Sequence, residues 1–422
     1  MDLYDQGNLS AAEPRLIELT RRYPSSFEAE EALGSIYAEQ NDLPHALPYL
    51  RRASTLEPSQ AIAHANLGAA YLKSGKTREA VTELRVAARL DSENASTQSN
   101  LGQALMALGQ PAAAVPAFTI AARLDPSNPA LHYNLALALY DSGALKPAAA
   151  ALLAISPDST SVEADSLAGE IAEKLGDYRA AILHLQSAAQ KDPSDANLYA
   201  LTIELLRHWN WEEALKIATF GAARYPASNH FIVAEGIAQY GAAQYPESAK
   251  IFSRLLAASP DNAFYADLLG RSCSQLAEDT SVDCRGLLAF AEHHPGNATI
   301  STFAAMSLLH RSSAEQDPAR IAGLLNAAIA ADPKLADAYF QMAILDQNQL
   351  RWKESATLLE KAIALRPTYP EAHYRLSRAY VHLGMKSEAE QQIALQQKYM
   401  QQAKDTMNTH LQEVVTFLLK TN

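Results

Sequence analysis

Ten of the chain's twenty prolines fall in one register: Pro24, Pro58, Pro126, Pro157, Pro193, Pro226, Pro260, Pro295, Pro333 and Pro367. They recur at intervals close to 34 residues, with one double interval in which Ser92 takes the vacant place. A period of about 34 residues is the length of one helix–turn–helix unit. Proline lacks an N–H and restricts the residue before it, so each one stops a helix at the same point of its unit. Such units bury their apolar faces only by stacking. The chain is therefore expected to be an all-α solenoid in which each repeat packs on its neighbours.

Counting from the residue after each Pro-x-x pair sets the cleanest units at 27–60, 61–94, 95–128 and 336–369. Position eight is small (Gly34, Gly68, Gly102, Ala343, and Gly169, Gly236 and Gly270 elsewhere), as is position twenty (Ala46, Ala80, Ala114, Ala148, Ala181, Ala214, Ser248, Ser355, Ala389). These are where two helices of a hairpin are expected to cross closely. Position seven is mostly leucine (Leu33, Leu67, Leu101, Leu135, Leu376), and position twenty-four is bulky (Leu50, Leu84, Phe118, Leu185, Phe252, Leu359), filling the space the small residues leave. Position fifteen often carries Gly or Asn (Asn41, Gly75, Gly109, Gly143, Gly176), which tolerate the left-handed turn that ends a helix.

This pattern resembles the tetratricopeptide repeat family over nearly the whole chain. The segment Ala61 to Tyr71 lies close to the family's first-helix consensus. The resemblance implies a right-handed α–α superhelix of about eleven helix–turn–helix repeats plus a long C-terminal helix. The solenoid is expected over 1–385, with a truncated first repeat at 1–26, regular repeats at 27–156, variant repeats at 157–262, degenerate repeats at 263–335 and regular repeats at 336–385. Residues 386–422 are expected to complete the last repeat and run on as a long capping helix.

The departures are specific. Leu3 to Gly7 reads as the end of a first helix and its turn, and Asn8 to Tyr23 as the second helix of the same unit, so the repeat at the start is expected to lack most of its partner. The true start is expected to lie upstream. The unit ending at Pro157 has a shortened second helix, and the turn around Trp209-Asn210-Trp211 reads as one residue short. Insertions fall near Glu278 to Asp283 and Ser312 to Pro318, where flexibility or a bend is expected. Past residue 386, Ile393, Met400, Met407 and Val414 recur every seven residues, joined by Ala403, Leu411 and Leu418. That stripe suits a cap, and it equally suits self-association or a partner helix.

In this family the first helices line the concave face. Positions two, five, six, nine, twelve and thirteen share one side of a helix by their three- and four-residue spacing. Position six gives Asn66, Asn100 and Asn134 in three successive repeats, with Ala32, Leu167 and Leu201 in the neighbouring units. An amide carries a donor and an acceptor, so it pairs with a peptide bond regardless of sequence. The row is similar to the asparagine ladder in the repeats of O-linked N-acetylglucosamine transferase. Leu72, Met106, Tyr133, Leu137 and Tyr140 on the same face are candidate pockets for a partner's anchors. Lys73 is the only basic residue at these positions in the three units, so the carboxylate clamp of chaperone-binding relatives is not expected. Glu28, Glu31 and Glu39 flank the row on one side, and Glu163, Glu170 and Glu173 on the other. A partner with an apolar centre and basic flanks is therefore expected, with ordinary solvated helix surface as the alternative reading of the glutamates.

The net charge of −12 argues against nucleic acid, whose phosphates demand a basic footprint. No apolar run reaches the roughly 18 residues that span a bilayer, and no basic-then-apolar secretory leader opens the sequence. Cys273 and Cys284 are too few for a zinc site. Two small buried apolar residues are the favoured reading of them, with a disulfide open in an oxidising compartment. His64, His132 and His373 recur at position four, a packing position in the family. No His-Glu-x-x-His, nucleophile elbow or phosphate loop occurs, so neither catalysis nor a cofactor or metal is expected. The expected function is a non-catalytic scaffold that binds an extended peptide segment in its concave groove. The alternative is a structural or assembly factor, envelope or secretion related, acting through the C-terminal helix or convex surface, with a homodimer through 386–420 in view. The sequence as given reads as cytoplasmic, or as periplasmic or secreted if a signal peptide precedes it.

Overall fold

The computed structural model describes residues 9–276, 284–310 and 317–419, with side chains over 11–276, 284–310, 317–402 and 404. Among these residues all regular structure is helical. Helix α1 (Leu9–Arg22) precedes hairpins α2/α3 (Phe27–Glu39, Leu43–Leu56), α4/α5 (Ala61–Lys73, Thr77–Leu90) and α6/α7 (Ala95–Ala107, Pro111–Leu124). Next come α8/α9 (Pro129–Asp141, Leu145–Leu153), α10/α11 (Val162–Leu175, Tyr178–Lys191) and α12/α13 (Asp195–Arg207, Trp211–Arg224). Then follow α14/α15 (Asn229–Gly241, Tyr245–Ala258), α16/α17 (Ala263–Cys273, Arg285–His293) and α18/α19 (Ala298–Leu309, Pro318–Ala331). The series closes with α20/α21 (Ala336–Asn348, Trp352–Leu365) and α22/α23 (Pro370–His382, Lys386–Leu419). Two compact units divide the chain, Met1–Glu204 and Leu205–Asn422.

The two small positions meet as expected. Ala46, Ala80, Ala114, Ala148, Ala181, Ala214, Ser248 and Ser355 are all completely buried. Ser248 Oγ donates to the Gly236 carbonyl at 2.8 Å and Ser355 Oγ to the Ala343 carbonyl at 3.0 Å, so position twenty rests directly on the backbone of position eight. Above the crossing lies the bulky residue at position twenty-four. A Cβ added at Gly34, Gly68, Gly102, Gly169 or Gly236 would sit 2.6–2.7 Å from Leu50, Leu84, Phe118, Leu185 or Phe252 respectively. Each such side chain buries apolar surface worth about 1.5–3 kcal/mol, and at these five positions glycine leaves room for it. Gly270 departs from the rule: its close neighbour is Phe303, at 2.7 Å, on helix α18 of the following hairpin.

The turns follow the sequence with one correction. Position fifteen adopts positive φ at Asn41, Gly75, Gly109, Gly143 and Gly176, and also at Trp209, Ala243, Leu350 and Gly384. The turn 208–210 has the same three residues as the turn 74–76, so it is not one residue short. The missing residue lies instead between α11 and α12, where 192–194 replaces a four-residue link such as 57–60. Trp209 misled the sequence reading because a bulky side chain stands where left-handed backbone favours glycine. The corrected register moves Leu201 to position seven and puts Ala200 at position six. Helix α9 is shortened to nine residues, followed by a 3₁₀ turn at Pro157–Ser159, as the sequence indicates.

Position four does more than pack. His64, His132 and His373 each direct Nε2 to the carbonyl of the register proline six residues earlier, at 3.1, 3.0 and 3.0 Å. Gln98 reaches the carbonyl of Ser92 at 3.2 Å, and Tyr339 donates to that of Pro333 at 3.1 Å. A carbonyl only accepts, so each Nε2 carries its proton. Five chemically suitable side chains thus close the inter-repeat link by one bond, including the link where serine replaces proline.

In the stretch 263–335, read as degenerate repeats, the described residues are densely packed. One apolar cluster runs from Ala249 through Phe252, Leu269, Leu287, Ile300 and Leu325 to Leu345. Cys273 and Cys284 are both buried, and they form a disulfide that joins the end of α16 to the residue before α17. The reading of two unlinked apolar cysteines is corrected accordingly. The insertion near Glu278 to Asp283, residues 312–316 of the second insertion, and the turn read at Leu3 to Gly7 lie outside the described residues. So do the side chains of Ala403, Met407, Leu411, Val414 and Leu418.

Gly102→Ala is expected to destabilise the fold by about 1–3 kcal/mol, because the new methyl group meets the Phe118 ring. Thermal melting followed by circular dichroism checks this. Loss of that cost when Gly102→Ala is introduced into a Phe118→Ala background would confirm overpacking as the cause.

Candidate functional site

The candidate row lies in the first unit, where successive first helices α2, α4, α6 and α8 touch one another. Three side-chain contacts show which positions share a face. Asn66 Nδ2, at position six, donates to Glu31 Oε1 and, at 3.1 Å, to Ser35 Oγ at positions five and nine of the preceding repeat. Ser35 Oγ donates in turn to Glu31 at 2.9 Å. Tyr140, at position twelve, donates to Glu170 Oε2 at 2.8 Å and accepts from Lys174 Nζ at 2.6 Å, at positions nine and thirteen of the next repeat. Positions five, six and nine therefore face one another at the Asn66 end of the row, and positions nine, twelve and thirteen at the Tyr140 end.

The three asparagines are not equivalent. All are half-buried, but only Asn66 is held by neighbouring side chains. Asn100 and Asn134 make no side-chain hydrogen bond within the described residues. Around them Gln103 is exposed, and Met106, Tyr133, Leu137 and Tyr140 are half-buried with one side on the core. Leu72 is half-buried and Lys73 exposed. Sequence reading missed both Glu31 as the partner of Asn66 and Gln103 as a further amide. The signal was present, since positions five and nine belong to the same face.

The glutamate flanks also divide. Glu31 and Glu170 are used internally, and exposed Glu28 accepts from Ser26 Oγ at 3.0 Å. Glu39 and Glu163 stand exposed. Hydrogen bonds from its own backbone N–H and from Ser161 hold the Glu163 carboxyl below the usual carboxylate range. Burial, and then Glu163, Asp141 and Glu170, push the Tyr133 hydroxyl up, so it remains a neutral donor throughout the neutral range. Lys174 is held protonated more firmly than usual by its bond to Tyr140, and its ammonium also lies 4.3 Å from that ring's centre. This end of the row is thus a fixed Lys–Tyr–Glu chain, with apolar ring surface beside it. Among the described residues no group of His, Cys, Asp and Glu could hold a metal ion, and no helix is long and apolar enough to cross a membrane.

Hairpins of this length, with small residues at the crossing, define an all-α repeat scaffold of the kind that serves protein–protein interaction. Tetratricopeptide repeat family models match residues 1–55, 40–95, 99–161 and 349–405, together about half of the sequence. The chain belongs to the tetratricopeptide repeat family. No curated protein matches the sequence. Among solved structures, that of Naa15/Naa10 bound to HypK-THB is similar at 15% identity with a TM-score of 0.40, covering 93% of this chain and 66% of that one. The chain thus spans a little under two thirds of that relative's length. YrrB, described as a TPR protein with an unusual peptide-binding site, is similar at 22% identity and a TM-score of 0.41, covering 44% of this chain and 95% of YrrB. PilF of Pseudomonas aeruginosa is similar at 21% identity and 0.40, covering 46% of this chain and 90% of that one. These likenesses speak to the fold alone.

A double-mutant cycle on Glu31→Ala and Asn66→Ala is expected to give a coupling energy of about 0.5–1.5 kcal/mol, read from thermal or urea unfolding. Asn100→Ala and Asn134→Ala, which lose no protein partner, are expected to change stability by less than about 0.5 kcal/mol each.

Proposed function

We propose that the first unit binds an extended peptide segment of a partner protein along α4, α6 and α8. Asn100 and Asn134 pair with main-chain amides of the peptide, while Asn66, fixed by Glu31 and Ser35, borders the site. Met106, Tyr133, Leu137 and Tyr140 take apolar anchors at its centre, with Leu72 and Lys73 at the Asn66 side. The open carboxylates Glu28, Glu39 and Glu163 favour basic residues at the peptide's ends, and Glu31, Glu170 and Glu173 add to the same field. The observation that carries this reading is the pair of half-buried amides on touching helices, neither making a side-chain hydrogen bond among the described residues. Half-buried polar side chains normally find partners, and Asn66 does so where a carboxylate is offered.

The scale of the interaction follows from its parts. Two amides contribute roughly 2–3 kcal/mol net, whereas micromolar affinity needs about 8, so the apolar centre supplies most of the binding. Affinity capture from source-cell lysate with the wild type and with the variant Asn100→Ala/Asn134→Ala tests the reading. A partner then purified is expected to bind the variant about thirtyfold more weakly at unchanged melting temperature. Equal binding would remove these amides from the site. A second reading, an assembly role through α23, is supported by the length of that helix.

A further inference from the structure

Hairpin α16/α17 lacks the crossing that holds the regular hairpins. The nearest neighbour of Gly270, at position eight, is Phe303 of α18 and not a side chain of α17. Helix α17 has nine residues, whereas the second helices α15 and α19 before and after it have fourteen each. The two helices of this hairpin also touch each other less than those of α14/α15 or α18/α19.

A covalent bond stands where the others have an apolar contact. Counting forward from Ala263 places Cys273 at position eleven, and counting back from Pro295 places Cys284 at position twenty-one. In regular hairpins these two positions are apolar and share one cluster, as Tyr71 and Val81 do in α4/α5 and Leu105 and Val115 in α6/α7. In α16/α17 the same pair of positions is the disulfide, and its cysteines are 1% and 5% exposed.

The two ends of α17 are held by different means. At the C-terminal end Glu292 pairs with Arg320 of α19 at 2.6 Å, and His294 Nε2 meets Asp261 Oδ1 at 3.1 Å. Leu287, Leu288, Phe290 and Ala291 are buried in the core cluster. At the N-terminal end Cys284 occupies the N-cap and makes no side-chain cap hydrogen bond. Serine, threonine, aspartate or asparagine there would satisfy one of the open N–H groups of the first turn. Nine residues are too few for a helix to stand alone in water. The first turn of α17 is therefore anchored through its bond to α16.

We propose that Cys273–Cys284 is a redox-sensitive clasp, whose opening frees the first turn of α17 and leaves the rest of the second unit folded. A dithiol reductant opens it. Two electrons and two protons pass from the dithiol to the bond, the S–S bond breaks, Cys273 and Cys284 become thiols, and the dithiol leaves as its own disulfide. Burial keeps reagents from the sulfurs in the closed state, so the rate of reduction follows local opening of α17. The cysteines are only 11 residues apart in sequence, so the two thiols stay close and an oxidant closes the clasp again. A compartment buffered by dithiols holds it open and an oxidising one holds it closed. Opening uncovers Leu287 and Leu288 next to the freed turn.

Hydrogen–deuterium exchange of the full chain, oxidised and in excess dithiothreitol, tests the clasp, with mass spectrometry confirming that two thiols are gained. Peptides covering 285–291 are expected to exchange at least about tenfold faster after reduction. Those of α20 and α21 are expected to stay within about twofold. The variant Cys273→Ala/Cys284→Ala is expected to exchange as the reduced chain does, to ignore dithiothreitol, and to keep its helical circular dichroism. Equal exchange at 285–291 in the oxidised chain, the reduced chain and the variant overturns the proposal, because apolar packing alone then holds α17. Loss of protection spread evenly over α20 and α21 overturns it too, since the bond then staples the whole unit. So does wild type equilibrated with oxidised glutathione that still shows two free thiols in denaturant.

Discussion

The close crossing of the two helices in each hairpin is the constraint on which the rest of the molecule depends. Two helices approach this near only where both backbones carry small side chains, and here glycine or alanine at position eight faces alanine or serine at position twenty. The side chain at position twenty-four then closes over the glycine. This arrangement sets the depth of the regular hairpins, and through it the spacing at which their first helices meet. Asn66 can reach Glu31, and Tyr140 can reach Glu170, because that spacing is held constant between repeats. The candidate surface is thus a consequence of backbone packing on the opposite side of the same helices.

The links between repeats are held by a different device. A side chain at position four bonds the carbonyl six residues before it, and histidine, glutamine and tyrosine serve equally because each offers a donor at the right reach. Proline at the register position removes a competing N–H and stops the preceding helix. Serine at 92 accomplishes the link without proline, since its carbonyl is bonded by Gln98 all the same. Where the sequence pattern weakens, between 263 and 335, apolar packing and the Cys273–Cys284 disulfide hold the described residues in place of regular hairpin contacts.

The two ends of functional interest differ in physical character. The surface on α4, α6 and α8 carries two amides, those of Asn100 and Asn134, that make no side-chain hydrogen bond among the described residues, beside half-buried rings and with carboxylates at its margins. The open groove between α22 and α23 exposes Tyr374 and Val381 beside Arg378, Lys386 and Glu390. One belongs to each unit.

The sequence by itself determined the helical hairpins, their number, their crossings and the shortened α9, because helix stops and small residues act locally and repeat at a fixed period. It also marked out the surface of first-helix positions by spacing alone. Only the tertiary structure decided matters that turn on one contact. Trp209 in a left-handed turn concealed the true register of α12, so Leu201 was read one position early. Asn66, Asn100 and Asn134 look identical in sequence, and only the presence of Glu31 across the repeat boundary separates the first from the other two. The cysteines carry no periodic signal, and their pairing depends on how α16 and α17 come together. Periodicity records what every repeat must do, whereas a contact between two particular side chains depends on a distance that only the folded chain sets.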